Sequence, residues 1–85
     1  MAVDGMSGTS ETTAVEAYFS VAGEITPRRF TWHGSTLMIE GVGRRWREGS
    51  ERCFTVLAAG GRPFELRLDG ETLRWRVSRS VVPVC

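Results

Sequence analysis

The chain has 85 residues, 41% hydrophobic and 25% charged, with a formal net charge of +1. A core of that size buries only about 60 to 65% of the surface the unfolded chain exposes, which supports one small domain and excludes a large two-lobed enzyme. No apolar run approaches the roughly 20 residues that cross a bilayer as a helix. The N-terminal segment carries no base before Arg28 and no secretory h-region, so the expectation is a cytoplasmic protein with no membrane partner.

Residues 1–13 are rich in Gly, Ser and Thr and have no apolar periodicity, which predicts a disordered tail ahead of a β domain over residues 14–85. From Val15 the pattern alternates, with Val15, Ala17, Phe19 and Val21 on one side and Glu16, Tyr18 and Ser20 on the other. A period of two predicts a half-buried strand; an amphipathic helix over residues 12–22 competes with it, but Tyr, Phe and Val favour the strand and Gly23 follows at once. Pro27 breaks the chain before the next element. Residues 28–39 read as a hairpin: Phe30 and Trp32 alternate with Arg29 and Thr31, His33-Gly34 forms the turn, and Leu37 and Ile39 resume the alternation.

Gly41 and Gly43 then interrupt the pattern and shift its phase, so that Val42 and Trp46 become the apolar members. A β-bulge explains the shift and lets one long strand pass from one sheet into another. Three strands follow. Phe54, Val56 and Ala58 share a face; after the turn at residues 59–62 so do Phe64, Leu66 and Leu68; after Asp69-Gly70 so do Leu73, Trp75 and Val77. The segment from Ser80 to Cys85 ends the sheet or lies along its edge. About six short antiparallel strands separated by Gly-rich turns predict an all-β domain, a small SH3-like barrel or similar roll.

Chemistry-bearing motifs are sparse. The chain has no P-loop, GxSxG, HExxH or dinucleotide fingerprint, and His33 is the only histidine, so no enzyme activity and no cofactor are expected. Cys53 and Cys85 lack metal spacing, and neither a metal site nor a disulfide between them is expected in a reducing compartment.

All eleven cations are arginine, and Lys, Asn and Gln do not occur. Arginine's planar fork suits phosphate, yet a GC-rich coding bias produces the same composition whatever the function. Position says more: residues 1–27 sum to −4, whereas residues 28–85 hold eleven arginines against six acids, a balance of +5. Such a body steers polyanions or accepts its own acidic leader. Arg67, Arg74 and Arg76 are the leading surface, on the outward side of neighbouring strands. Arg52 and Arg62 are expected close by, and the loop group Arg44, Arg45 and Arg47 extends it. The competing reading is a solvated face where Glu65 and Asp69 pair with these arginines. Trp32 and Trp46 border turns and serve either as core or as a stacking platform for single-stranded nucleic acid, a choice that also applies to Phe30, Phe54, Phe64 and Trp75.

Residues 27–77 read P-x-x-F-x-W-x-G-x-x-L-x-I-x-x-V-x-x-x-W, then R-x-F-x-V-x-x-x-x-G-x-x-F-E-L-x-x-D, then L-x-W-x-V. This resembles a small bacterial domain of unknown function, found alone and at the C-terminus of mutasome (translesion) polymerase-like proteins. The likeness rests on Pro27, Phe30, Trp32, Gly34, Trp46, Arg52, Phe54, Phe64, Glu65, Asp69 and Trp75 among others, and the chain departs from it at Leu37 and at its short turn, residues 48–50. The resemblance implies a non-enzymatic accessory module near DNA repair or translesion synthesis. Its expected partners are DNA or RNA, or a DNA-repair protein. The alternative is a protein-interaction domain, a monomer or weak homodimer using a strand edge or the Trp32 and Trp46 region.

Overall fold

Short turns join alternating apolar segments along the chain. In the computed structural model, which describes residues 11–80, they produce seven antiparallel strands and no helix. The strands are β1 (Glu11–Thr13), β2 (Val15–Phe19), β3 (Ile25–Trp32), β4 (Ser35–Glu48), β5 (Glu51–Ala58), β6 (Arg62–Asp69) and β7 (Trp75–Arg79). Their order is β1-β7-β6-β5-β4-β3-β2, and the two ends, β1 and β2, are separated only by Ala14. The chain itself thus ties the ends together, and the sheet curls into a half-barrel. At this seam Thr31 N–H donates to the Ala14 carbonyl at 3.1 Å, and the Thr13 hydroxyl donates to the Thr31 carbonyl. Among the described residues no helix is long and apolar enough to cross a membrane.

The competing helix over residues 12–22 does not form; β1 and β2 occupy that stretch. β1 lies inside the segment expected to be a tail, and its register runs from Glu11↔Val77 to Thr13↔Trp75. Consecutive Thr residues favour an extended chain once a partner strand is beside them. The rest of the expected tail, residues 1–10, and the stretch after Ser80 lie outside the described residues. Val15 and Ala17 pack against the core, but β2 ends at Phe19, and Phe19 and Val21, expected on the same buried side, are exposed.

The hairpin of β3 and β4 forms as its turn residues dictate: Trp32 pairs with Ser35, and His33 and Gly34 between them have φ of 49° and 82°. Two successive positive φ values define a type I′ turn, whose twist matches that of the flanking strands. β4 then runs for 14 residues and pairs first with β3 and later with β5. Its pairing with β5 slips twice, between Ile39 and Gly41 and again between Val42 and Arg45, each time with one extra residue on β4. The phase shift expected around Gly41 and Gly43 is therefore two bulges rather than one, and the second returns Trp46 to the outer face.

The concave face is filled by Phe30, Phe54, Val56, Ala58, Phe64, Leu66, Leu68 and Val77, with Ile25 at one end. Phe64 is the hub, with Phe30 edge-on at 5.1 Å and Trp32 edge-on at 5.0 Å between ring centroids. Leu73 is not part of it. Asp69 Oδ1 accepts the N–H groups of Glu71 and Thr72, and the tight turn so formed carries Leu73 to φ 60° with 70% of its surface exposed. The same turn touches the β4–β5 turn, where Gly70 N–H donates to the Ser50 carbonyl at 2.9 Å.

A methyl at Gly70 would stand 2.5 Å from the Ser50 carbonyl oxygen, whereas one at Gly41 meets nothing within 4 Å. Gly70→Ala is therefore expected to destabilise the fold by about 1–3 kcal/mol, the usual cost of overpacking. Gly41→Ala should stay within about 0.5 kcal/mol. Urea unfolding of the two variants checks the contrast.

Candidate nucleic-acid interface

Residues directly opposed across an antiparallel pair share a face, so the register decides where each arginine stands. Across β4, β5, β6 and β7 one row reads Trp46, Cys53, Arg67, Arg76, and the next reads Arg47, Arg52, Leu68, Trp75. The first lies on the outer face. The second lies on the concave face, as does Arg45 opposite Phe54.

On the outer face Arg67 and Arg76 of the expected stripe stand opposite each other, but carboxylates match them. Arg67 donates through Nε to Glu65 at 2.6 Å and through Nη1 to Glu48 at 2.9 Å and Glu51 at 3.1 Å, while Arg76 Nη2 donates to Glu51 at 2.8 Å. Burial alone would pull the Arg67 guanidinium down, but hydrogen bonds to Glu48, Glu65 and Glu51 outweigh it and hold it above its ordinary value. Asp69, the other expected partner, caps its own turn instead. Arg74 precedes β7 and, with Arg76, borders a pocket of about 380 Å³ that also holds Glu51 and Asp69. Cys53 lies beneath this network, fully buried, and burial pushes its thiol up, so it stays protonated and unreactive.

Trp46 lies over the same face; its indole N–H donates to Glu48 at 3.1 Å, and the Arg44 guanidinium stands 5.0 Å from its ring centroid. Trp32 is half-buried between Phe64 and His33, whose ring stacks on it at 4.1 Å, so it rims the core rather than forming a platform. His33 Nε2 is 3.2 Å from Glu11 Oε2, close enough for an ion pair when the imidazole is protonated but not aligned as a hydrogen bond. Arg52 and Arg62, expected beside Arg67, stand on the opposite face and at opposite ends of it. The Arg62 guanidinium lies 5.9 Å from the Phe64 ring centroid.

The remaining arginines converge. Arg45, Arg47 and Arg52 line a pocket of about 230 Å³ at the open end of the concave face, floored by Ile25 and Phe54, walled by Gly23 and Glu24, and bordered by Trp46 and Cys53 of the strands between them. Arg47 and Arg52 are direct cross-strand partners, an arrangement of like charges that destabilises a sheet. Among the described residues none of the three has an ion pair; Arg52 Nη1 donates to the Gly23 carbonyl at 3.4 Å. Glu24 is the only acid in the lining. No group of His, Cys, Asp or Glu able to hold a metal ion occurs among the described residues.

Sequence reading misses Glu48 and Glu51 as partners of Arg67. The signal is there: a two-residue turn at Gly49-Ser50 puts Glu48 opposite Glu51, two rungs along the ladder from Arg67 and so on the same face. The wall at residues 23–25 has no such signal, because a loop's approach to a distant hairpin leaves no periodicity. No protein-family model, curated protein or solved structure matches the chain.

Two outcomes follow from the outer network. Arg67→Ala leaves three carboxylates without their common donor and should cost about 1–3 kcal/mol, whereas Arg74→Ala should change stability by less than about 0.5 kcal/mol. The pH dependence has a definite sign. Hydrogen bonds from Arg67 and then Trp46 hold the Glu48 carboxyl below its ordinary value, and the N–H groups of Glu71 and Thr72 do the same for Asp69. A carboxylate depressed in the folded state contributes stability above its unfolded value, and that contribution is lost as pH falls through the folded one. The urea midpoint should therefore decline below about pH 4, where free carboxyls protonate, and decline less steeply in Glu48→Gln.

Proposed function

We propose that the chain is a non-enzymatic binding module that takes nucleic acid at the open end of its concave face, through Arg45, Arg47 and Arg52. The observation that carries this is their convergence with no ion pair among the described residues and with Glu24 the one acid among them in the lining, while Arg67 and Arg76 on the other face are neutralised. Arginine forks bind phosphate oxygens in pairs, and a phosphate between Arg47 and Arg52 would turn a mutual repulsion into a shared attraction. Arg44 over Trp46 extends the basic surface beyond the pocket along the same strand. The resemblance to a domain appended to mutasome polymerase-like proteins supports an accessory role beside a DNA-repair protein.

A second reading has one observation in its favour. Among the described residues β2 is an end strand, with a strand partner on one side only, and Tyr18 in it and Val21 beyond it are exposed. An edge of that kind can accept a strand from another protein or a second copy. Sedimentation that stays monomeric over a wide concentration range would count against a homodimer.

The nucleic-acid reading is tested by anisotropy titration of labelled single- and double-stranded oligonucleotides. With two neutralised phosphates, one shared by Arg47 and Arg52 and one on Arg45, single-strand affinity should fall about sevenfold between roughly 50 and 200 mM salt. Replacing Arg45, Arg47 and Arg52 together by Ala should abolish binding, whereas Arg74→Ala should leave it unchanged. Affinity no tighter than ~100 μM at low salt would overturn the reading.

A further inference from the structure

We infer that the pocket formed by Arg45, Arg47 and Arg52 holds a single phosphorylated nucleotide, its phosphate on these arginines and its base against Phe19. This rests on the nucleic-acid reading and narrows it. Size argues for one unit: the pocket is about 230 Å³, below the roughly 300–1,000 Å³ of sites that take drug-sized ligands.

Chemistry argues for an anion joined to a flat ring. Three arginines without ion pairs supply the anion site, and the Arg52 bond to the Gly23 carbonyl spans the pocket and leaves its other guanidinium nitrogens available. The floor is apolar, made by Ile25 and Phe54. Phe19 lies outside the pocket lining, but it is the direct cross-strand partner of Ile25, which belongs to the floor, and it is 61% exposed. An exposed aromatic ring next to an apolar floor and a cationic rim is the arrangement that stacks a base and holds its phosphate. Inorganic phosphate alone would leave Phe19 unused. Glu24, the one acid in the lining, opposes the ligand's charge.

The nucleotide could be free or the phosphorylated end of a strand, and competition against a labelled oligothymidylate separates these sources. The competitors are dTMP, thymidine, inorganic phosphate, and oligothymidylate with either a 5′-phosphate or a 5′-hydroxyl. Displacement by dTMP, with thymidine and phosphate at least about tenfold weaker, is expected. An added preference for the 5′-phosphorylated strand assigns the site to strand ends, and its absence assigns it to free nucleotide. Phe19→Ala, at an exposed position, should weaken dTMP about tenfold and leave inorganic phosphate unchanged. Arg47→Ala should weaken both, and Glu24→Gln should tighten dTMP about threefold. Circular dichroism confirms that each variant is folded. Oligonucleotide binding that dTMP does not displace and that ignores the strand end overturns this inference and leaves the nucleic-acid reading standing. Binding by none of the probes overturns both.

Discussion

Everything at the open end of the barrel depends on the two extra residues in β4. Side chains in a strand alternate with a period of two, so each inserted residue sends all that follow to the other face. After the first insertion Val42 faces inward opposite Val56, and uninterrupted alternation would then carry Arg44 and Trp46 inward as well. The second insertion reverses this. Arg45 and Arg47 turn inward opposite Phe54 and Arg52, and Trp46 turns outward opposite Cys53. With one bulge Trp46 would face inward at the mouth; with two, Arg45, Arg47 and Arg52 share its lining with Trp46. The second bulge is itself anchored, since Arg44 N–H donates to the Thr55 hydroxyl at 2.8 Å. A backbone donor that the irregular ladder would leave unpaired thus keeps a partner.

That reversal sorts the arginines into two populations. Those on the outer face meet Glu48, Glu51 and Glu65 and become part of the scaffold, a cross-strand network that ties β4, β5, β6 and β7 together. Those on the concave face meet apolar side chains and one another. The balance of +5 over residues 28–85 is therefore a poor guide to any local field. The face with the most regular arginine pattern, Arg67 and Arg76, is the one whose charge is spent internally, and the excess gathers where β4 is irregular.

β5 and β6 are legible in the sequence because each repeats a clean alternation bounded by Gly-containing turns, and their pairing is free of bulges. The β3–β4 turn is legible because His-Gly between alternating runs has a specific backbone requirement that the structure meets. The irregular places resist reading for physical reasons. Gly41 and Gly43 announce a disturbance but not how many residues it inserts, and the face of every later residue on β4 depends on that count. Leu73 looks like the first member of the β7 face, but Asp69 closes a turn that needs Leu73 at positive φ. β1 is too short to show a period. Its strand state comes from pairing with β7, a contact more than sixty residues away along the chain.

The concave mouth also bears on why a domain this small keeps arginines there. A core of this size has little stability to spare, and apolar residues at positions 45, 47 and 52 would extend it toward Ile25 and Trp75. The chain instead places Arg47 opposite Arg52, with Arg45 beside them and, among the described residues, no ion pair for any of the three. Like charges at directly opposed positions destabilise the pairing, while the outer face shows that this sheet readily supplies glutamates where arginines need them. The repulsion at the mouth is thus a local cost whose structural return is the Arg52 bond to the Gly23 carbonyl, and an anion seated between these arginines removes it. Any ligand that binds only the folded form adds to stability as the logarithm of its concentration relative to its Kd. For this fold the gain would be largest at low salt, where both the repulsion and its relief are least screened.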